Sequence, residues 1–184
     1  MQARCGIAHV NGVASHADGV DSHASRIPTV STVASSRSAQ PVRLEHLPAA
    51  VFEMQVRVYY EDTDAGGIVY HANYLRFLER ARTDWLRALG AVHSRIAENS
   101  GAVFVVRDMT IDFQSPARLD DLLTVDVRVL EARRATLLLA QVARRHETGE
   151  PLVISSLRVA ALDRASGRPV GIPRWLLERI TPSL

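Results

Sequence analysis

Lysine is absent: all 22 basic residues of this 184-residue chain are arginine. That removes mechanisms built on a Schiff-base lysine, a P-loop lysine or a lysine general base. It leaves guanidinium groups, which bind phosphates bidentately. Cysteine is nearly absent too. Cys5 stands alone, so the chain has no internal disulfide and no thiolate metal site, and a reducing compartment is expected. Aromatic residues make up only 5% of the chain. The arginines are scattered among acids without aromatic interleaving, which argues against a nucleic-acid surface. No apolar run approaches the roughly 18–20 residues of a membrane span, and no compact apolar core follows a basic start as a secretory signal requires. A soluble, cytoplasmic protein is the expectation. What is there is ordinary globular material, 47% hydrophobic and 23% charged with a net charge of +2, enough for one domain with something added.

The addition is at the N-terminus. Residues 1–50 are rich in Ala, Ser, Gly, His and Val, as in HADGVDSHASRIPTVSTVASSRSAQ. With no periodic apolar face to bury, they are expected to form a disordered extension. Arg4, Arg26, Arg37 and Arg43 among serines also permit a transit-peptide reading, and a misassigned start codon is an equal alternative. His9, His16 and His23 recur every seven residues but lack partner ligands for a metal.

Regular structure is expected over 51–184. In FEMQVRVYY, Phe52, Met54, Val56, Val58 and Tyr60 alternate with polar residues, the period of a half-buried strand. From about His71 the spacing becomes helical, with Leu75, Leu78, Ala81 or Arg82, Trp85 and Leu89 as one stripe. Gly90 is placed to end that helix. Four strands follow by alternation: Val103–Val105–Met109–Ile111–Phe113, Val125–Val127–Val129, Leu138–Ala140–Val142 and Val153–Ser155–Leu157–Val159–Ala161. Pro173 opens a short helix to about Ile180. The implied class is α+β: an antiparallel sheet of about five strands around one long helix. Open sheet edges suggest a homo-oligomer.

The chemistry-bearing segment is Tyr59–Tyr74, YYEDTDAGGIVYHANY. Asp62 and Asp64 precede Gly66 and Gly67, which let backbone approach a ligand, and then a helix start whose free N–H groups face the same region. A carboxylate beside oriented donors suits acyl transfer. A calcium loop would need Glu at its twelfth position, where counting from Asp62 gives Asn73. An aspartyl-phosphate phosphatase would follow a strand buried on both faces, whereas Glu53, Gln55 and Arg57 make this one half-polar. The residues alone also fit an Asp-rich turn capping a helix, so they leave catalysis and turn chemistry both open.

VRVYYEDTDAGGIVYHANYLRFLERARTDWL, with VFVVRDMTIDFQSPARLDDLLTV after it, resembles the 4-hydroxybenzoyl-CoA thioesterase family, in its Tol–Pal-associated acyl-CoA thioesterase branch. The resemblance covers roughly residues 52–182. It implies a hotdog fold paired into dimers and then tetramers, with no metal and no cofactor. It implies an acyl-CoA substrate, with acyl carrier protein as a further partner. Asp64 matches the family's catalytic carboxylate, as nucleophile or general base. Tyr70 and His71 match the helix-start segment, where the His71 N–H polarises the thioester carbonyl. Gly66 and Gly67 fall in the substrate-binding loop. Arg133, Arg134 and Thr136 match a segment that meets CoA phosphates in some relatives, with a solvated strand edge as their bland reading. Asp62 is expected to shape the loop. A carrier-protein-binding or envelope-associated scaffold with little hydrolysis is the alternative.

Overall fold

The computed structural model describes residues 39–183. The elements run β1 (Phe52–Arg57), α1 (Asn73–Ala88), α2 (His93–Ser100), β2 (Ala102–Phe113), β3 (Leu122–Ala132), β4 (Thr136–Arg145), β5 (Pro151–Asp163) and α3 (Arg174–Ile180). The five strands form one wholly antiparallel sheet in the order β1-β3-β4-β5-β2. β3–β4 and β4–β5 are sequence neighbours joined by short turns. β1 and β2 are the two edges, separated in sequence by the long loop, α1 and α2.

Strict alternation builds the helix-facing side. Leu123, Val125, Val127 and Val129 of β3, Leu137 and Leu139 of β4, and Leu157, Val159 and Ala161 of β5 join Phe77, Leu78, Ala81 and Trp85 of α1 in one core. The expected helical stripe is one position out at its start. Leu75 is exposed, and Tyr74 and Phe77 are buried instead, because 74, 77, 78, 81 and 85 share the face that α1 turns to the sheet. Gly90 ends the helix as expected, at φ +78°, and Arg179 Nη1 donates to the Leu89 carbonyl at 2.5 Å. One polar bridge crosses this core. Arg82 donates to Gln141 Oε1 at 2.6 Å, and Gln141 Nε2 donates to the Leu78 carbonyl at 3.0 Å.

Three features depart from the sequence expectation. In β4 the expected set Leu138, Ala140 and Val142 lies off the core-facing side, which Leu137 and Leu139 occupy instead. Alternation alone puts Val103 and Val105 inward, but Ala102 and Phe104 pack toward the core while Val105 and Val106 are exposed. A bulge between Val106 and Asp108 inserts one residue and reverses the parity, so that Met109 and Ile111 face inward beyond it. The eight-residue α2 has no counterpart in the sequence expectation. Only Ile96 of it is buried, too little periodicity to read.

The expected extension over 1–50 lies mostly outside the described residues, as do His9, His16 and His23. Its last part, residues 39–51, crosses the sheet face turned away from α1. The Ala39 N–H donates to Asp108 of β2, and Ser156 of β5 donates to the Gln40 carbonyl. Arg128 of β3 donates to the Pro48 carbonyl, and the Val51 N–H pairs with the Val127 carbonyl at 2.9 Å.

Candidate active site

After β1 the chain leaves the sheet and folds a tight hairpin over 63–69. Thr63 and Val69 are bridged, and the Asp64 N–H donates to the Ile68 carbonyl at 3.0 Å while Gly67 N–H returns to the Asp64 carbonyl at 3.0 Å. Gly67 closes this turn at φ +70°, a conformation that costs a side-chain-bearing residue. Asp64 sits at the hairpin's end, solvent-exposed. Its Oδ1 accepts the Gly66 N–H at 2.8 Å, which fixes the carboxylate over the turn.

Asp62, two residues earlier, has the other fate. It is buried and its Oδ2 accepts the Tyr59 N–H at 2.9 Å, while its main-chain carbonyl accepts the Tyr70 N–H at 2.8 Å. Asp62 thus ties the loop's two ends together, and only Asp64 is free to meet a ligand. The Asp-rich turn and the presented carboxylate are both present, on different residues.

The second arm of the hairpin delivers the chain to α1. Val69 N–H bonds the Ala117 carbonyl at 2.9 Å and Asn73 N–H the Tyr70 carbonyl at 2.8 Å. Between them, the N–H groups of His71 and Ala72 find no acceptor among the described residues. They are the orphan donors that any helix start leaves, and they carry the positive end of its dipole. The Tyr70 and His71 rings lie tilted at 56° with centroids 4.4 Å apart, and His71 meets Phe113 edge-on at 6.4 Å.

An open groove of about 310 Å³ lies beside this helix start, lined by Ile68, Val69, His71, Tyr74, Phe113 and Pro116 with Gln114 and Ser115. Its walls are apolar and aromatic apart from His71 and the two polar residues at one rim. The Tyr74 hydroxyl accepts the Ala117 N–H at 2.9 Å, and burial pushes its pKa above the ordinary tyrosine value. It therefore stays a neutral wall. Ser115 donates to Glu150, and with Arg145 it holds that carboxyl below its usual range. In the sequence, Tyr74 and Phe113 are no more than a helix and a strand residue. Nothing in their spacing signals a groove, since it forms where the end of β2 meets the first turn of α1.

Asp64, Gly66, Gly67, Tyr70 and His71 therefore share one end of the molecule. Arg133, Arg134 and Thr136 do not join them. Arg133 and Arg134 lie in the β3–β4 turn and Thr136 opens β4, with Arg133 paired to Glu131 and the Ile172 N–H bonded to the Arg134 carbonyl at 2.7 Å. β3 begins beside the Asp64 loop and ends at this turn, and its length puts the two about 35 Å apart within one chain. Among the described residues no three His, Cys, Asp or Glu side chains gather as metal ligands, and no helix is long and apolar enough to cross a membrane.

Comparison with known proteins places the chain in a family. The sequence profile of the thioesterase-like superfamily matches residues 58–180. The acyl-CoA thioesterase YbgC of Haemophilus influenzae is 45% identical over 123 residues, which are 67% of this chain and 89% of that protein. Among solved structures, a probable thioesterase from Bartonella henselae superposes with a TM-score of 0.62 at 36% identity, over 66% of this chain and 98% of that one. A 4-hydroxybenzoyl CoA thioesterase variant bound to 4-hydroxybenzoyl CoA superposes with a TM-score of 0.64 over 68% of this chain and 95% of that one. At 22% identity that last likeness speaks for the fold alone.

Proposed function

The chain belongs to the thioesterase-like superfamily, and from that premise we propose that it hydrolyses acyl-CoA thioesters with Asp64 as its catalytic carboxylate. The observation that carries the reading is the division of labour between the two aspartates. Asp62 is consumed by the loop, whereas Asp64 is exposed and aimed by the Gly66 N–H, next to a helix start with unused donors and an apolar groove.

The acyl group lies in the groove against Val69, Tyr74 and Phe113, with its carbonyl oxygen toward the His71 N–H. That donor and the helix dipole stabilise the oxyanion as the carbonyl carbon becomes tetrahedral. Two routes lead on. In one, an Asp64 oxygen attacks the carbon, the C–S bond breaks, CoA departs as thiolate, and water hydrolyses the mixed anhydride to acid and free Asp64. In the other, Asp64 takes a proton from water as the resulting hydroxide adds, and the tetrahedral intermediate expels the thiolate, which recovers that proton. Either way the thiolate leaves readily, and no strong general acid is needed.

The long CoA moiety requires phosphate ligands, and Arg133 and Arg134 are remote in the same chain. β2 offers the solution as an open edge strand with Val105, Val106 and Phe113 exposed along it. Two such edges paired antiparallel about a two-fold axis extend the sheet and bring the far end of one copy to the Asp64 end of the other. Arg133 and Arg134 of the partner subunit then serve this site. The working unit is accordingly a homodimer, placed in the cytoplasm where CoA esters are made and used. Acyl carrier protein is the other carrier that can present the same thioester.

The test is thiol release by the purified full chain from acyl-CoA esters of increasing length, wild type beside Asp64→Asn. We expect a loss of about 10²–10⁴-fold in the variant with an unchanged circular dichroism spectrum. Undiminished turnover by the variant removes Asp64 from the role. No release by wild type from any CoA ester, with release from acyl carrier protein, moves the substrate to that carrier.

A further inference from the structure

The sheet has a second face, and the N-terminal segment lies on it. The residues of β3, β4 and β5 that alternate with the core-facing ones point away from α1: Asp126, Ala140, Val142, Ile154, Ser156 and Arg158. All six are buried. Ala140, Val142 and Ile154 lie outside the helix-side core, and the three helices pack on the opposite face. Among the described residues, what lies over this face is the strap of residues 39–51, which precedes the region shared with the superfamily. It is held at both ends, by Asp108 and Ser156 near β2 and by Arg128 near β3. Along it, Val42, Leu44 and Leu47 are half-buried while Pro41, Arg43, Glu45, His46 and Pro48 are exposed, so one apolar side faces the sheet. Pro41 and Val42 roof a cavity of about 360 Å³ over Thr110, Ile154 and Ser156.

The covered face has the features of a contact between identical sheets. Small and aliphatic residues form its centre, which allows the roughly 10 Å spacing of stacked sheets. Charges of both signs flank it. Asp126 pairs with Arg128 at 2.7 Å and with Arg144 at 2.6 Å, and Asp108 lies 4.0 Å from Arg158. A surface holding both signs can meet its own copy across a two-fold axis without facing like charge to like.

We propose that residues 39–51 are a cap in cis that occupies this face and prevents a second copy from stacking on it, so that assembly stops one step short. A tethered segment competes at an effective concentration of about millimolar, which a free copy at micromolar concentration does not match. Loosening the strap hands the face to the second copy.

The experiment uses the full chain carrying Val42→Ser, Leu44→Ser and Leu47→Ser together, which removes the strap's apolar side without placing an acid beside Arg43. Release is read by trypsin cleavage after Arg43, assembly by sedimentation velocity over a concentration series. The expected result is faster cleavage at Arg43 and a concentration-dependent doubling of the wild-type mass. Adding Thr110→Arg, which sets a long cation on the uncovered face, should return the mass to the wild-type value. Unchanged cleavage overturns the proposal, because the strap is then not held by this face. Faster cleavage at constant mass overturns it as well, since the face then recruits no copy. A doubled mass that survives Thr110→Arg puts the new contact elsewhere, and the proposal fails there too.

Discussion

At the scale of single residues, the carboxylate of Asp64 depends on an atom that Gly66 lacks. Gly66 N–H holds Asp64 Oδ1 at 2.8 Å, and a Cβ on Gly66 would stand 3.0 Å from the same oxygen. Gly66→Ala therefore forces the carboxylate to shift by a few tenths of an ångström against its donor while leaving the acyl groove intact. We expect kcat to fall about 10- to 100-fold with KM nearly unchanged. Gly67→Ala is the control. Its Cβ would meet nothing within 4 Å, but its φ is +70°, so it should cost about 1 kcal/mol of stability and spare kcat. Equal losses of kcat in the two variants would mean that the loop, not the carboxylate's position, is what Gly66 protects. This residue-level distinction is only half legible in the sequence. Asp62 is readable as a loop former because Asp before a turn has a known habit, and the structure buries it in that task. Gly66 reads as room for the substrate. Its contact with Asp64 depends on the hairpin closing between Thr63 and Val69, a pairing that no spacing rule announces.

At the scale of elements, α1 is bolted to β4 by a polar clamp inside an otherwise apolar interface. Arg82 is buried between Glu79 and Gln141, and desolvation lowers its pKa even though Glu79 pulls the other way. Removing the guanidinium with Arg82→Met strands Gln141 Oε1 and leaves Glu79 without its partner. A loss of about 2–4 kcal/mol is expected, since the cost is chiefly that of the buried group left unsatisfied. The double variant Arg82→Met, Gln141→Leu should lose less than the sum of the singles. Denaturant melts of the four proteins give the coupling, and strict additivity would show that the two side chains do not act together. Elements are legible where one local period runs unbroken. β1, β3 and β5 follow from alternation, and the end of α1 from Gly90. β2 does not, because one bulge reverses inside and outside halfway along it. α2 has a single buried residue, and α1's stripe is displaced because Leu75 fits the helical period as well as Tyr74 does. Tertiary packing chooses between them.

At the scale of the whole molecule, the family resemblance matches Arg133 and Arg134 to a segment that meets CoA phosphates in some relatives, and one chain holds them about 35 Å from the Asp64 loop. Both statements are satisfied only if a complete site draws on two copies, and activity alone can reveal such sharing. Take Asp64→Asn as one parent and the double variant Arg133→Ala, Arg134→Ala as the other. At CoA-ester concentrations far below KM each is nearly inactive alone. Denature them together and refold at a one-to-one ratio, so that about half of the pairs are mixed. If the arginines act across the interface, each mixed pair collects both defects in one site and leaves the other site whole. Activity then recovers to roughly a quarter of the wild-type value. If the arginines act within their own chain, or serve only as a solvated turn paired to Glu131, every site in the mixed pair keeps one defect. In the first of these cases no recovery is seen. In the second the arginine parent is already active before mixing, and Arg133 and Arg134 drop out of substrate binding altogether.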